Sequence, residues 1–265
     1  MRSPLPLYAA LTTLLSATAL RAQTADQARL MFTVGLGQSS GGGTLWKIGR
    51  QPFLTKAATD TLALSRSFRR SLDVVLSGTY FPGDHLGFNV EAQLLGLATE
   101  DDCRIVETQG SRDTQDLCRT IGRAQHGGAS AALSGGLVYR IASRQPLHPY
   151  GRINAGLLIT QESFVKTSGT VVASTGEPAQ LTLYEDRNPS TVQPYLSFGG
   201  GVVAVIGKGY QLRFELRDNW VRVPKVDRAT DIQGVKPPTS TVGKHLLTAT
   251  LGFDVVLERK RGRRY

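Results

Sequence analysis

Most of this chain is written in a period of two, and that alternation restricts it to extended strands with two chemically different faces. Leu86, Phe88, Val90, Ala92 and Leu94 fall on one side of such a segment, and Gly87, Asn89, Glu91 and Gln93 on the other. The pattern returns further on, where Tyr210, Leu212, Phe214 and Leu216 oppose Gln211, Arg213, Glu215 and Arg217. A helix would scatter those charges around its circumference; a strand separates them. Six other segments follow the rule, roughly 28–38, 72–81, 130–141, 149–159, 192–205 and 245–257. The connections between the strands alternate in length. Residues 82–84, 142–148 and 206–209 are short turns, whereas 39–71, 98–129, 160–191 and 221–244 are long and polar. Eight antiparallel strands, with every long loop at one end and every short turn at the other, is the plan of a transmembrane up-and-down β-barrel. Both termini then lie at the short-turn end. The first long connection has strand-like stretches at 44–55 and 59–68. As a hairpin beyond the membrane they leave eight strands, the preferred count; as barrel members they make ten.

Alternation alone does not say which face is inside, because a soluble up-and-down barrel points its apolar residues inward. Three features put them outward, toward lipid. Tyr80, Phe88, Tyr139 and Tyr210 cluster on the apolar face near the short-turn end, where an aromatic girdle belongs. The strands reach about ten residues, the length a tilted membrane strand needs. The other face carries Glu91, Arg152, Arg213, Glu215 and Arg217 at mid-strand. An arginine turned toward hydrocarbon would cost about 2–4 kcal/mol, whereas in a narrow lumen opposite charges neutralise one another. Glu91 is therefore expected to pair with a lumen arginine, Arg152 or Arg213.

Residues 1–22 read as a secretory signal peptide: Arg2 supplies the positive start, 5–20 an apolar run, and Ala22 a small residue at the cleavage point. After it no apolar run reaches the roughly eighteen residues of a spanning helix. Export makes a disulfide the natural reading of the two cysteines, Cys103 and Cys118, in a polar stretch (100–123) expected to be loop. The formal charge is +10, and removing Arg2 and Arg21 with the leader leaves +8. Arg259, Lys260, Arg261, Arg263 and Arg264 against Glu258 supply +4 of that, so 258–265 reads as a basic periplasmic tail after a barrel over 23–257. Nucleic acid is a poor partner for an exported chain; anionic lipid head groups, lipopolysaccharide or cell-wall polymers suit the charge better.

The last strand, Thr250-Leu-Gly-Phe-Asp-Val-Val-Leu257, resembles the signal read by the barrel-assembly machinery: a polar residue, a glycine two positions on, then alternate hydrophobics. Thr250, Gly252, Val255 and Leu257 occupy those places. With the loop plan, the mature chain resembles small bacterial outer-membrane barrels of the OmpA/OmpX/OmpW-like type. The resemblance implies an outer-membrane location and assembly by that machinery.

Catalytic and cofactor chemistry finds little support. His85, His126, His148 and His245 lack metal-ligand spacing, with the first and third expected in short turns and the others near the loop-side strand ends. The glycine groups 35–37 and 199–201 lack the remaining residues of a phosphate-binding loop, so neither a cofactor nor a metal is expected. The preferred function is a non-enzymatic barrel with a structural or surface-interaction role through its long outer loops, its surface ligand unspecified. The alternative is a narrow porin-like channel for small solutes or ions, and a lipid A-modifying enzyme ranks third.

Overall fold

A computed structural model describes residues 27–54, 59–108, 111–172, 177–187 and 189–260. The proposed signal peptide and the last five residues of the basic tail lie outside these. Eight strands close into an antiparallel barrel: β1 (Gln27–Gly41), β4 (Ser71–Tyr80), β5 (Leu86–Gly96), β8 (Ala129–Arg140), β9 (Leu147–Thr160), β12 (Thr191–Gly207), β13 (Tyr210–Val226) and β14 (Thr239–Lys260). Each pairs with its sequence neighbour in the barrel, and β1 pairs with β14 to close it. The barrel thus has eight strands and not ten. The final strand runs to Lys260, which pairs with Gln27, so 258–260 continue the strand where the sequence suggested a tail.

The two faces are partitioned as the alternation requires. Leu86, Phe88, Val90 and Leu94 are exposed on the outer wall, as are Leu212, Phe214 and Leu216, while Asn89, Glu91, Gln93, Arg213, Glu215 and Arg217 are buried inside. Closure of the barrel pairs backbone donors and acceptors from strand to strand, and the outward-facing apolar side chains present hydrocarbon to lipid.

Three of the four long connections are folded. The first carries β2 (Thr44–Leu54) and β3 (Thr59–Phe68), and the second carries β6 (Thr99–Glu107), helix α1 (Arg112–Ile121) and β7 (Gln125–His126). The third carries the hairpin β10 (Thr167–Val172) and β11 (Pro178–Tyr184). Strands β2, β3, β6 and β7 form a separate four-stranded sheet outside the barrel. The expectation that 100–123 is loop is therefore corrected: it holds most of β6 and all of α1. The helix was legible. Ser111 caps it by accepting from the Thr114 amide, and Thr114, Leu117, Cys118 and Ile121 form its buried face at helical spacing.

Candidate functional site

Inward-facing side chains meet across the lumen in three tiers. At the short-turn end, Ala28, Met31, Val138, Tyr150 and Val203 pack around Phe81, which the β4–β5 turn sends inward. The Arg140 guanidinium lies 3.8 Å from the centroid of the Phe81 ring. It donates to the carbonyls of Ala28 and Asp84, each at 2.8 Å, so this cation ties β8 to β1 and to the neighbouring turn.

The middle tier is ionic. Glu91 of β5 accepts from Arg152 of β9 and, at 2.5 Å, from Arg217 of β13. Glu215 accepts from Arg217 at 2.7 Å and from Arg152 at 3.2 Å, and also from the Tyr150 hydroxyl. Arg213 pairs with Asp254 at 2.9 Å and lies over the Tyr150 ring, 4.8 Å from its centroid. Three arginines thus face three carboxylates, all of them buried. Asn89 completes the group by accepting from Arg152 at 2.9 Å. Charges removed from water this far are tolerated because each is matched and hydrogen-bonded. The sequence placed Glu91 near Arg152 or Arg213; Arg152 is a partner, Arg213 is not, and Arg217 is the second. Asp254 and Tyr150 were missed. Asp254 sits inside the segment read as an assembly signal, yet its inward position, alternating with Phe253 and Val255, was the available clue.

Above the ions, polar groups give way to apolar ones. Arg217 also reaches Gln93 at 3.1 Å, and the Tyr195 hydroxyl lies 2.9 Å from Gln93 Oε1 and 2.6 Å from Asn219 Oδ1. Asn219 donates to Thr248 at 2.7 Å, and Thr248 to Asp73 at 3.0 Å. Leu95, Ala132, Leu158 and Leu246 then face inward and merge with the core of the outer domain.

That domain is a folded cap. Leu45, Trp46, Ile48 and Phe53 of β2 and Leu62 and Leu64 of β3 pack against Leu117 and Ile121 of α1, with Phe164, Val165, Leu183 and Tyr184. Cys103 of β6 is bonded to Cys118 of α1, with Cα atoms 5.3 Å apart. At its centre Arg66, fully buried, forms a two-point pair with Asp101 at 2.5 and 2.7 Å. The same guanidinium donates to the Lys166 carbonyl at 2.7 Å and lies over Trp46, 5.4 Å from the ring centroid. His126 Nε2 stands 2.9 Å from Asp101 Oδ2. Burial pushes the Asp101 carboxyl up, but the hydrogen bonds from Arg66 and His126 more than reverse this and hold it below its ordinary value. Burial pushes the Tyr184 phenol up; its hydroxyl bonds Gln51 at 2.6 Å.

The remaining sequence-derived residues fall into place on this frame. Tyr80, Phe88, Tyr139 and Tyr210 are exposed on the outer wall at the short-turn end, with Tyr80 opposite Phe88 and Tyr210 stacked on Phe253 at 5.6 Å. Thr250 and Gly252 point inward, and Leu257 is exposed outside. The glycines at 199–201 lie within β12, where a side chain at Gly201 would collide with the backbone of β13. His85 lies in the β4–β5 turn, but His148 is buried in β9 and not in a turn. His126 belongs to the cap and His245 to β14. Among the described residues no three metal-ligating side chains gather.

The sequence matches no protein-family model and no curated protein. In structure the chain is similar to the outer membrane protein OprG from Pseudomonas aeruginosa, with 10% identity, a TM-score of 0.48, and coverage of 88% of this chain and 97% of that one. It is also similar to the outer membrane protein AlkL (11% identity, TM-score 0.46, 92% and 97% covered) and to Neisserial surface protein A (10%, 0.41, 86% and 96%). None of these likenesses bears on a ligand or an activity. The closed strand order and the partition of its faces fit the barrel to a lipid bilayer.

Proposed function

We propose that the protein is a non-enzymatic, non-conducting outer-membrane barrel whose role is to hold a folded cap at the cell surface for interaction with other molecules. The observation that carries this reading is the set of contacts that crosses the lumen: apolar packing at the short-turn end, a charge-matched middle, and a cap core that continues into the barrel mouth. An eight-stranded barrel has room for side chains and little else. Ordinary permeation would require breaking paired, buried charges and unpacking the apolar tier on either side of them. The cap supports the surface role, since a core-packed sheet, a helix and a disulfide make a rigid platform, which flexible loops do not. Strands β13 and β14 favour it too, remaining paired as far as Val226 and Thr239, well beyond the roughly ten residues that cross a membrane.

Planar-bilayer recording of the purified protein tests this reading. The expected result is no stable open level at physiological potentials. A reproducible unitary conductance would reject the sealed barrel and restore the channel alternative. Mass spectrometry of lipid A from cells with and without the protein tests the non-enzymatic part, and a change in acylation would reject it.

A further inference from the structure

Just above the lipid-facing apolar wall, cationic and polar groups collect on one side of the barrel. Four strands adjacent in the closed order, β4, β1, β14 and β13, carry them. Arg69 and Arg70 occupy the step between β3 and β4, separated by Ser71 from Leu72, which is 80% exposed on the outer wall. Gln38 of β1 is paired with Leu72 on the same face. On β14 and β13 the outward residues above Leu247 and Leu216 are His245, Asp218, Trp220 and Arg222. Arg70 and Arg222 are exposed and take part in no ion pair among the described residues. His245 Nδ1 is held by Asp218 at 2.9 Å, with the imidazole mostly exposed. Trp220 lies across Gly243: a Cβ there would stand 2.8 Å from the indole nitrogen, so glycine is what lets the ring lie flat against the strand. Across the barrel, the chain leaving β9 at the same level carries Gln161 and Glu162, with no arginine or lysine until Lys166.

We propose that this collar seats the phosphate-bearing head group of an outer-leaflet glycolipid, and that it therefore fixes the barrel's depth and the face it turns to its lipid neighbours. The inference rests on the outer-membrane reading above. The charge is complementary: two unpaired guanidiniums at the level of a polyanionic head group supply the forked donors that phosphate accepts. The location is complementary too. An indole flat against the strand belongs at the hydrocarbon boundary, where its apolar ring meets acyl chain and its N–H meets sugar or water. The apolar residues directly below, Leu36, Leu72, Leu216, Leu247 and Leu251, are all exposed and offer a wall for the acyl chains of the same lipid.

Native mass spectrometry of the detergent-solubilised full chain, titrated with diphosphoryl lipid A or with its dephosphorylated form, tests the proposal. The wild type is expected to retain the diphosphoryl form and to bind the dephosphorylated one several-fold more weakly. Each arginine contributes about fivefold at an anionic surface, so Arg70→Gln/Arg222→Gln is expected to weaken retention about 25-fold. The control Arg112→Gln/Arg119→Gln, on the exposed side of α1, should bind as the wild type does. Heat-modifiable gel migration establishes that each variant is folded. Equal retention by the collar variant and the wild type would overturn the proposal, as would indifference to the phosphates. Loss of retention by the α1 control alone would move the site to the cap and overturn it as well. If the barrel instead proves water-soluble, without detergent or lipid, the failure lies in the membrane reading beneath it.

Discussion

Removing the Glu91 carboxylate should be among the most damaging single changes in the barrel. The middle tier is neutral, with Arg152, Arg213 and Arg217 against Glu91, Glu215 and Asp254. Glu91→Ala leaves one positive charge in excess, in a place where the Arg152 and Arg217 side chains are each 2% exposed. Deleting one partner of a buried ion pair costs about 3–5 kcal/mol, because the surviving charge stays desolvated. The second variant, Glu91→Ala/Arg152→Ala, restores neutrality, since Arg217 keeps Glu215 and Arg213 keeps Asp254. It should be less destabilised than the sum of its two singles by about 2 kcal/mol, within the range of coupled neighbours. Urea titration in lipid vesicles, followed by gel migration of the unheated protein and by the fluorescence of Trp46 and Trp220, measures both quantities. A cost for Glu91→Ala below about 1 kcal/mol, or strict additivity in the double variant, would refute the claim that lumen charge balance is what tolerates these ions.

Three further outcomes are expected. Asp101 has a lowered pKa in the folded cap, so its contribution is fully present above the ordinary value near 3.8 and is lost as pH falls through the folded value; the cap should loosen in acid below about pH 4 while Asp101→Asn removes that step, as read by limited proteolysis. Reducing the Cys103–Cys118 bond, which closes a separation of 15 residues, should cost the cap about 3 kcal/mol in the chain-entropy model and leave barrel migration on gels unchanged. Gly243→Val should displace the Trp220 indole, shifting its emission without unfolding the barrel, because the added carbon would meet the ring and not the backbone.

The barrel was readable from sequence because its code is local. An inward residue and its outward neighbour declare themselves within one strand, and the loop lengths order the strands. Pairing inside the lumen is different in kind. Glu91 and Arg217 are 126 residues apart and meet across the barrel, so their contact depends on register and tilt, which alternation does not encode. Arg213 was a reasonable partner for Glu91 by type but is taken by Asp254 on the adjacent strand. The cap was underread for another reason. Its polar composition matched that of a solvated loop, although Asp60, Leu62, Leu64 and Arg66 alternate on β3 and the α1 residues repeat at helical spacing. A buried, fully paired Arg66 among apolar residues disguises a core as a surface.

The central claim, that apolar side chains face lipid around a closed, charge-filled barrel, is tested most directly along β5. Single cysteines placed at each position from 86 to 94 and spin-labelled in lipid vesicles report collision with oxygen, which partitions into hydrocarbon, and with a water-soluble nickel complex. The two native cysteines are bonded to each other and leave no free thiol among the described residues. Oxygen accessibility should peak at 86, 88, 90, 92 and 94, with 87, 89, 91 and 93 shielded from both reagents. High nickel accessibility at 88, 90 and 92 would mean that the apolar wall faces water, and would contradict both the membrane barrel and the role built on it.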